Sequence, residues 1–547
     1  MLRQWGFLAR RAADEAAYVA LCARSGLLGL ETPGRIARMA GAFGRFGTVA
    51  ALPVIAGIRY AERTAVIDER GTLSFAELDA RTNALANAWR ERGLRPGEGV
   101  AILARNHRGF LESVFAAAKC GARIVLLNTD FAGPQIREVA VREGTELLVY
   151  DEEYAGMLAG VEPPRGRFRA WADSPGEDTL DALIAGASRE APPDPGQAPK
   201  VILLTSGTTG KPKGAPRAEP KSLAPVGALL SKVPFRTREV TECCAPMFHT
   251  LGFAHALLAV LLGSTLVIRR RFDPAVALES LHRNRATALI VVPVMLHRML
   301  ELDEEAFRGK DLSSLRIIFV AGAQLGARLC ERAMARFGPV LYNLYGSTEV
   351  AYATIATPED LADEPGCVGG VVRGARVKVL DEHGRELPPG RTGRIFVGNT
   401  LQFEGYTGGG TKEVIDGLMS SGDVGHFDAH GRLFIDGRDD EMIVSGGENV
   451  FPNEVEELLA RHESIVEVSA IGVVDEIFGQ RLRAFVVRRE ETTLSEDDVK
   501  DYVKANLARY KVPRDVVFLD RLPRNPTGKV LKRELARYEV SGDRNGS

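Results

Sequence analysis

Four apolar residues, Val201-Ile202-Leu203-Leu204, run without interruption into Thr205-Ser206-Gly207-Thr208-Thr209-Gly210-Lys211-Pro212-Lys213-Gly214. A short continuous apolar run is a strand buried on both faces, and such strands belong to α/β sheets covered by helices on either side. The run then breaks into residues suited to an anion: glycines let backbone N–H groups approach phosphate oxygens, and hydroxyls and lysines add donors. It is not a Walker A loop, because Gly207 and Gly210 stand too close and Pro212 follows the lysine. A polar surface turn is the plainer reading, but a turn needs neither the four hydroxyls nor the two lysines.

The rest of the chain is built from similar units. Ser74-Phe75-Ala76-Glu77 is a capping box opening a helix that runs to about Gly93. Val100-Ala101-Ile102-Leu103, a helix to Lys119, and Arg123-Ile124-Val125-Leu126-Leu127 make strand, helix, strand, the crossover of a parallel sheet, and the unit recurs through 146–150. Strands at 266–268, 288–292 and 317–320 follow, and ligands collect where the carboxyl ends of such strands give way to loops. From about residue 375 the pattern turns to short alternating segments, and the last hundred or so residues carry a core of their own. A chain of 547 residues outgrows one core. The expected fold is α/β. It has a basic helical arm (1–60) and a large domain of stacked mixed or parallel sheets with a small β-barrel-like subdomain (61–437). A hinge (438–441) and a small mobile α+β domain (442–547) follow.

A net charge of −2 makes no overall case for nucleic acid. The six cysteines, Cys22, Cys120, Cys243, Cys244, Cys330 and Cys367, show neither metal-ligand spacing nor a disulfide framework, which suits a reducing cytoplasm. With no apolar run of about 18 residues, no membrane span is expected. Residues 1–60 nevertheless hold eight arginines and no lysine against Asp14, Glu15 and Glu31. A helical arm packed on its own domain is the preferred reading; a basic amphipathic helix in peripheral contact with an anionic membrane is the other.

The usual anchors of hydrolases, zinc enzymes and dinucleotide oxidoreductases are missing: no G-x-S-x-G, no H-E-x-x-H, no Cys/His ligand spacing, no G-x-G-x-x-G after a strand. In order along the chain stand the phosphate loop, Tyr345-Gly346-Ser347-Thr348-Glu349, Ser421-Gly422-Asp423, Gly437-Arg438-Asp439-Asp440 and Asn525-Pro526-Thr527-Gly528-Lys529. Together, over about residues 60–540, they resemble the adenylate-forming superfamily of acyl-CoA synthetases, carrier-protein adenylation domains and luciferases.

Tyr345 offers an aromatic face to a purine, Ala321-Gly322-Ala323 a small turn to cover its other side, and Asn343 an amide for an adenine edge; a core tyrosine is the plainer alternative. Thr348 and Glu349 bring a hydroxyl and a hard carboxylate for phosphate and Mg²⁺, with Thr208 as a second metal candidate. Thr205 to Gly210, Lys213, Gly346 and Ser347 complete the nucleotide set. The resemblance implies ATP, Mg²⁺ and CoA, with Asp423 and Arg438 on the ribose and Lys529 meeting the carboxylate and α-phosphate. It further implies that the small domain turns about Asp440 and that Ser445-Gly446-Gly447 passes the pantetheine arm close to its adjacent glycines, a simple β-turn being the plainer reading. The sequence departs from the pattern at Ser421, usually threonine, and at Gln324, often proline.

His249, with Phe248 and Phe253, should border the acyl site and gate it as a catalytic candidate beside Lys529, Glu349 and Thr348, a core histidine being the alternative. Val292, Val294, Met295 and Gly346 complete the wall, without a basic residue to meet a second carboxylate. Leu126-Leu127-Asn128-Thr129-Asp130-Phe131 and the Tyr345 motif look most like bacterial medium-to-long-chain fatty-acyl-CoA ligases. A fatty or bulky alicyclic acid is the expected substrate, with aryl and terpenoid acids left open and a homodimer also open. The alternatives are loading of a carrier-protein phosphopantetheine, or a non-catalytic nucleotide- or acyl-binding homologue.

Overall fold

Along the strand Gly99–Leu103, Val100 and Ile102 enter one core while Ala101 and Leu103 enter another. Along Ala288–Val291, Ala288 and Ile290 part in the same way from Leu289 and Val291. Ile102 and Ile290 share the central core, so two sheets face each other across it, with the helices Phe75–Glu91, Arg108–Lys119 and Thr250–Leu261 between them. Gly133–Arg142 covers the far face of one sheet, and Pro274–Arg283, Pro293–Leu300 and Ala327–Phe337 cover that of the other. Five layers result, and burial on both faces is why the strands read as unbroken apolar runs. Fully buried Trp89, Phe75, Phe110 and Phe115 anchor the middle layer, each contributing roughly 1.5–3 kcal/mol.

The computed structural model describes residues 2–206, 212–216, 222–401, 403, 405–407, 409–439, 443–445, 448–475, 479–490, 492–525 and 528–538; of 2–11, 205, 206, 212, 444, 445, 448, 449 and 479 it describes the backbone alone. One sheet has nine strands, parallel from Leu341–Ser347 to Thr64–Asp68 with antiparallel strands outside both. The other has six, parallel from Arg167–Trp171 to Lys200–Ser206 and closed by antiparallel Pro212–Pro216. The expected capping box is present: Glu77 N donates to Ser74 Oγ at 3.1 Å and Ser74 N to Glu77 Oε2 at 2.7 Å.

The alternating segments after residue 375 form a five-stranded antiparallel sheet that includes Leu418–Phe427 and Leu433–Arg438. Toward the C-terminus a third kind of sheet, of five strands including Gly479–Arg488 and Ile465–Asp475, packs against the helices Pro452–Leu459 and Glu496–Asn506. All six cysteines are free thiols.

The N-terminal arm is two helices, Leu2–Arg24 and Pro33–Tyr60, the second bent at Gly47 (φ 74°, ψ −174°). Tyr18 is buried, and its hydroxyl donates to Arg373 O at 3.1 Å beside an Asp14–Arg373 ion pair of 3.0 Å. The arm thus packs on the body. Pro33–Tyr60 is long and apolar enough by composition to cross a membrane, which a search for uninterrupted apolar runs misses. Here Ala50, Ala51, Leu52, Ile55 and Ala56 of that helix are buried in the protein.

Candidate functional site

The phosphate stretch forms an edge hairpin. The strand Lys200–Ser206 returns as Pro212–Pro216, with Thr205 opposite Lys213 and Ser206 opposite Pro212. Gly207, Thr208, Thr209, Gly210 and Lys211 lie outside the described residues. Lys213 Nζ sits 4.9 Å from the centre of the Tyr406 ring, a cation–π contact. The Tyr406 hydroxyl donates to Glu349 Oε1 at 2.8 Å, and Ser347 Oγ donates to Glu349 Oε2 at 3.0 Å. Phe403 N donates to Glu349 O and Thr407 N to Gly214 O, both at 3.0 Å. A turn around 403–407 therefore joins the hairpin to Glu349. Burial and the neighbouring Glu349 push the Tyr406 phenol up, so it remains a donor. Tyr406 escapes sequence reasoning, its only mark being an aromatic inside a glycine-rich stretch.

The nucleoside end forms where two distant strands meet. The Tyr345 hydroxyl donates to Asp423 Oδ2 at 2.7 Å, and Arg438 Nη1 lies 3.1 Å from Asp423 Oδ1, opposite it in register. Burial raises the Asp423 carboxyl, opposed by Arg438, the Tyr345 hydroxyl and Lys529. Burial, then the Asp423 charge, lifts the Tyr345 phenol far above its ordinary value. Asn343 is buried on the strand Leu341–Ser347, and Thr348 is half-buried in the turn after it. Ser421 Oγ accepts from Asp423 N at 3.1 Å and donates to Ile395 O at 3.1 Å. It is the hydroxyl that orients Asp423, so serine serves here without the threonine methyl. A Cβ on Gly422 would lie 3.2 Å from Lys412 Nζ and 3.5 Å from Arg438 Nη2. Two cations converging on a bare Cα beside a carboxylate fit a nucleotide; Lys412 was not evident in the sequence.

Lys529 closes a tight turn, donating from its N–H to Asn525 Oδ1 at 2.9 Å while its carbonyl accepts from Asn525 N at 2.9 Å. Gly528 (φ 77°) presses on the large domain: a Cβ there would stand 2.1 Å from Val294 Cγ1 and 3.7 Å from Val292 Cγ2. Val292 Cγ1 in turn lies 3.6 Å from where a Cβ on Gly322 would be. Ala321, Gly322 and Ala323 follow the strand Ile317–Val320, as expected. Val292, Val294, Gly322 and Gly528 are thus brought together, with the charge of the adjacent Lys529 felt at Asp423. Phe248, Phe253 and Met295 are buried in the two cores flanking the nine-stranded sheet. Half-buried His249 stands at the N-cap position of the helix Thr250–Leu261 without a side-chain capping bond, and its Nε2 has no hydrogen-bond partner among the described residues. Burial lowers its pKa to about 4, leaving a neutral ring. Asn106, also missed from sequence, clamps the loop before His249, donating to Ala245 O at 2.9 Å and accepting from Met247 N at 2.8 Å.

Gly346 has a different reason to be glycine than a roomy pocket. A Cβ there would stand 1.9 Å from Ala351 O. Asp440, Gly446 and Gly447 lie outside the described residues, and Ser445 is described by its backbone, paired with Glu448 and Gly479.

A scan of family profiles matches residues 56–407 to the AMP-binding enzyme and 454–529 to the AMP-binding enzyme C-terminal domain. The chain belongs to this family, the adenylate-forming superfamily, and is by class an AMP-forming acid–thiol ligase. It is 34% identical over 485 residues to a feruloyl-CoA synthase of an Amycolatopsis species, covering 87% of this chain and 95% of that one. To a fatty acid–acyl-carrier-protein ligase of Streptomyces coeruleorubidus it is 32% identical over 491 residues, covering 86% and 92%. Its fold matches that of ATP-bound MatB from Rhodopseudomonas palustris with a TM-score of 0.80 at 29% identity, over 89% of this chain and 98% of that one.

Proposed function

We propose that the protein activates a hydrophobic monocarboxylic acid in two steps. The acid's carboxylate oxygen attacks the α-phosphorus of ATP, expelling pyrophosphate and leaving an acyl-phosphate anhydride. The thiol of CoA then attacks the acyl carbon, and AMP leaves with the bonding electrons. The observation that carries this reading is the docking of the Gly528-Lys529 turn on Val292 and Val294 with the lysine charge felt at Asp423. A cation carried by a turn that packs on an apolar wall, and felt at the carboxylate read as the ribose acceptor, supports a first step that develops negative charge.

Glu349, flanked by the Ser347 and Tyr406 hydroxyls, is an oxygen donor set suited to Mg²⁺, which would neutralise phosphate charge. The apolar side chains Val292, Val294 and Met295 support a hydrophobic acid, and His249 Nε2, without a partner among the described residues, is available to a polar atom of it. The relatives named for feruloyl and fatty acids keep both aryl and alkyl acids within that class. A pyrophosphate-release screen over fatty, aryl and polycyclic acids, with CoA present and absent, tests the reading. Release confined to hydrophobic acids, with CoA preferred to a phosphopantetheinyl carrier as acceptor, supports it. No release over the whole panel would make the protein a binding homologue.

The second step places the small domain in another orientation, turning about Asp440 to bring Ser445-Gly446-Gly447 toward the thiol. Asp440→Pro should abolish overall turnover while sparing one half-reaction; normal turnover would exclude a hinge there.

The arm supports peripheral contact with an anionic bilayer. Leu28, Leu30, Ile36 and Phe43 are exposed among exposed Arg24, Arg35 and Arg38, and nearby Glu31 is engaged by Arg59 and Arg35. Apolar side chains interleaved with arginines match a negatively charged lipid surface. Deleting the arm is a poor test, since it carries buried Tyr18, Cys22 and Phe46. Ile36→Ser with Phe43→Ser should instead weaken sedimentation with phosphatidylglycerol vesicles by about tenfold or more. Unchanged sedimentation excludes this surface.

A further inference from the structure

We propose that Arg524 is a positioning residue for Lys529: it fastens the Gly528-Lys529 turn to the body of the small domain, so that domain closure delivers the lysine to one place. The inference rests on the role given to Lys529 above.

Arg524 Nη1 donates to the carbonyl of Gly528 at 2.5 Å, one residue before the lysine. Its Nη2 lies 3.2 Å from Glu467 Oε1, on the long strand Ile465–Asp475. Arg524 and Val530 also form an antiparallel bridge at the base of the turn. The turn therefore has two ties of different kind. Asn525 organises it internally through Lys529's own N–H and carbonyl, and Arg524 alone of these contacts links it to the sheet beyond. Without that link the turn could keep its shape and still pivot.

The guanidinium also sits at the seam between domains. His297, on the large-domain helix Pro293–Leu300 that receives Gly528, feels the charges of both Glu467 and Arg524. Burial lowers the His297 pKa, with Glu301 and Glu467 raising it and Arg332 and Arg524 lowering it. Arginine suits the task because its planar fork can serve a carbonyl and a carboxylate at once, whereas an ammonium is a single point charge. A lysine would keep the attraction to Glu467 and lose the second bond.

A merely structural Arg524 would lower stability and slow both half-reactions alike. A positioning Arg524 acts where Lys529 acts. Arg524→Met should slow acid-dependent pyrophosphate release by about tenfold to a hundredfold, the scale of losing a charged hydrogen bond. Arg524→Lys should fall between it and the wild type. KM for ATP and acid, and thioester formation from supplied acyl-AMP, should stay within about threefold. Added guanidinium should restore part of the Arg524→Met loss. Equal loss in both half-reactions, or unchanged pyrophosphate release, overturns the proposal. A readout independent of activity is the labelling rate of Lys529 by an amine-reactive ester, followed by mass spectrometry. It should rise several-fold in Arg524→Met, as expected for a turn freed to move. An unchanged rate also overturns the proposal. If the labelling changes while even the wild type releases no pyrophosphate, the turn is positioned as inferred and the proposed function is what fails.

Discussion

Lys529→Ala should reduce acid-dependent pyrophosphate release by about 10²–10³-fold and leave thioester formation from supplied acyl-AMP nearly intact. The lysine is exposed on its own turn, yet that turn is pressed on Val294. Its cation is therefore presented to the large domain at little cost in buried charge. In the first step it faces charge spreading over phosphoryl oxygens, and in the second the proposed rotation carries it away. The two half-reactions, measured separately on one preparation, decide the matter: equal loss in both would remove the two-orientation account.

A second consequence concerns pH. The Lys529 charge helps to hold down an Asp423 carboxyl that burial raises. Removing the lysine lets the Asp423 pKa rise, so Asp423 takes up its proton at a higher pH on acidification. The acid limb of ATP binding in Lys529→Ala should accordingly move to higher pH.

Gly346→Ala should be the most destabilising single methyl in the site. The added carbon would stand 1.9 Å from Ala351 O, 3.0 Å from Ala351 C and 3.1 Å from Tyr352 Cα. All three are backbone atoms of the paired strand at a point where the register shifts, and Ala351 already holds a positive φ of 60°. No side-chain rotation can relieve the contact, so the cost reaches about 3 kcal/mol or more, the upper end for overpacking. Denaturant melting should show it, together with loss of ATP binding as Tyr345 is displaced from Asp423. A normal melt with a narrowed range of acids would instead restore Gly346 to the acyl pocket.

How the site was legible differs from residue to residue. Tyr345 and Glu349 carry side chains suited by type to a purine and to Mg²⁺, whereas Asp423, Arg438 and Lys529 are marked by the resemblance of their motifs to the adenylate-forming superfamily. Tyr406, Lys412, Asn106 and Arg524 carry neither mark. They act by reaching residues from 10 positions away (Lys412 to Gly422) to 193 (Tyr406 to Lys213) or, for Arg524, by linking a turn to a strand, and no local spacing marks such contacts. Gln324 shows the same limit. Where the family often has proline, its Nε2 donates to Glu457 Oε1 of the small domain at 2.5 Å. Gly346 shows another limit: the backbone of the neighbouring strand, which sequence does not reveal, gives it a reason to be glycine independent of any pocket.

The stretch Thr205 to Gly214 marks the division. By sequence alone it could be recognised as a buried strand running into an anion-suited turn, because burial on both faces and glycine's missing Cβ are local properties. The strand pattern likewise determined a layered α/β body, since alternate residues of one strand must enter two cores. Only the tertiary structure decided that the stretch is an edge hairpin joined through Tyr406 to Glu349, and that the Gly528-Lys529 turn of the small domain packs through Gly528 on Val294. Those are contacts between surfaces far apart along the chain, chosen by which faces remain to be covered once each core has formed.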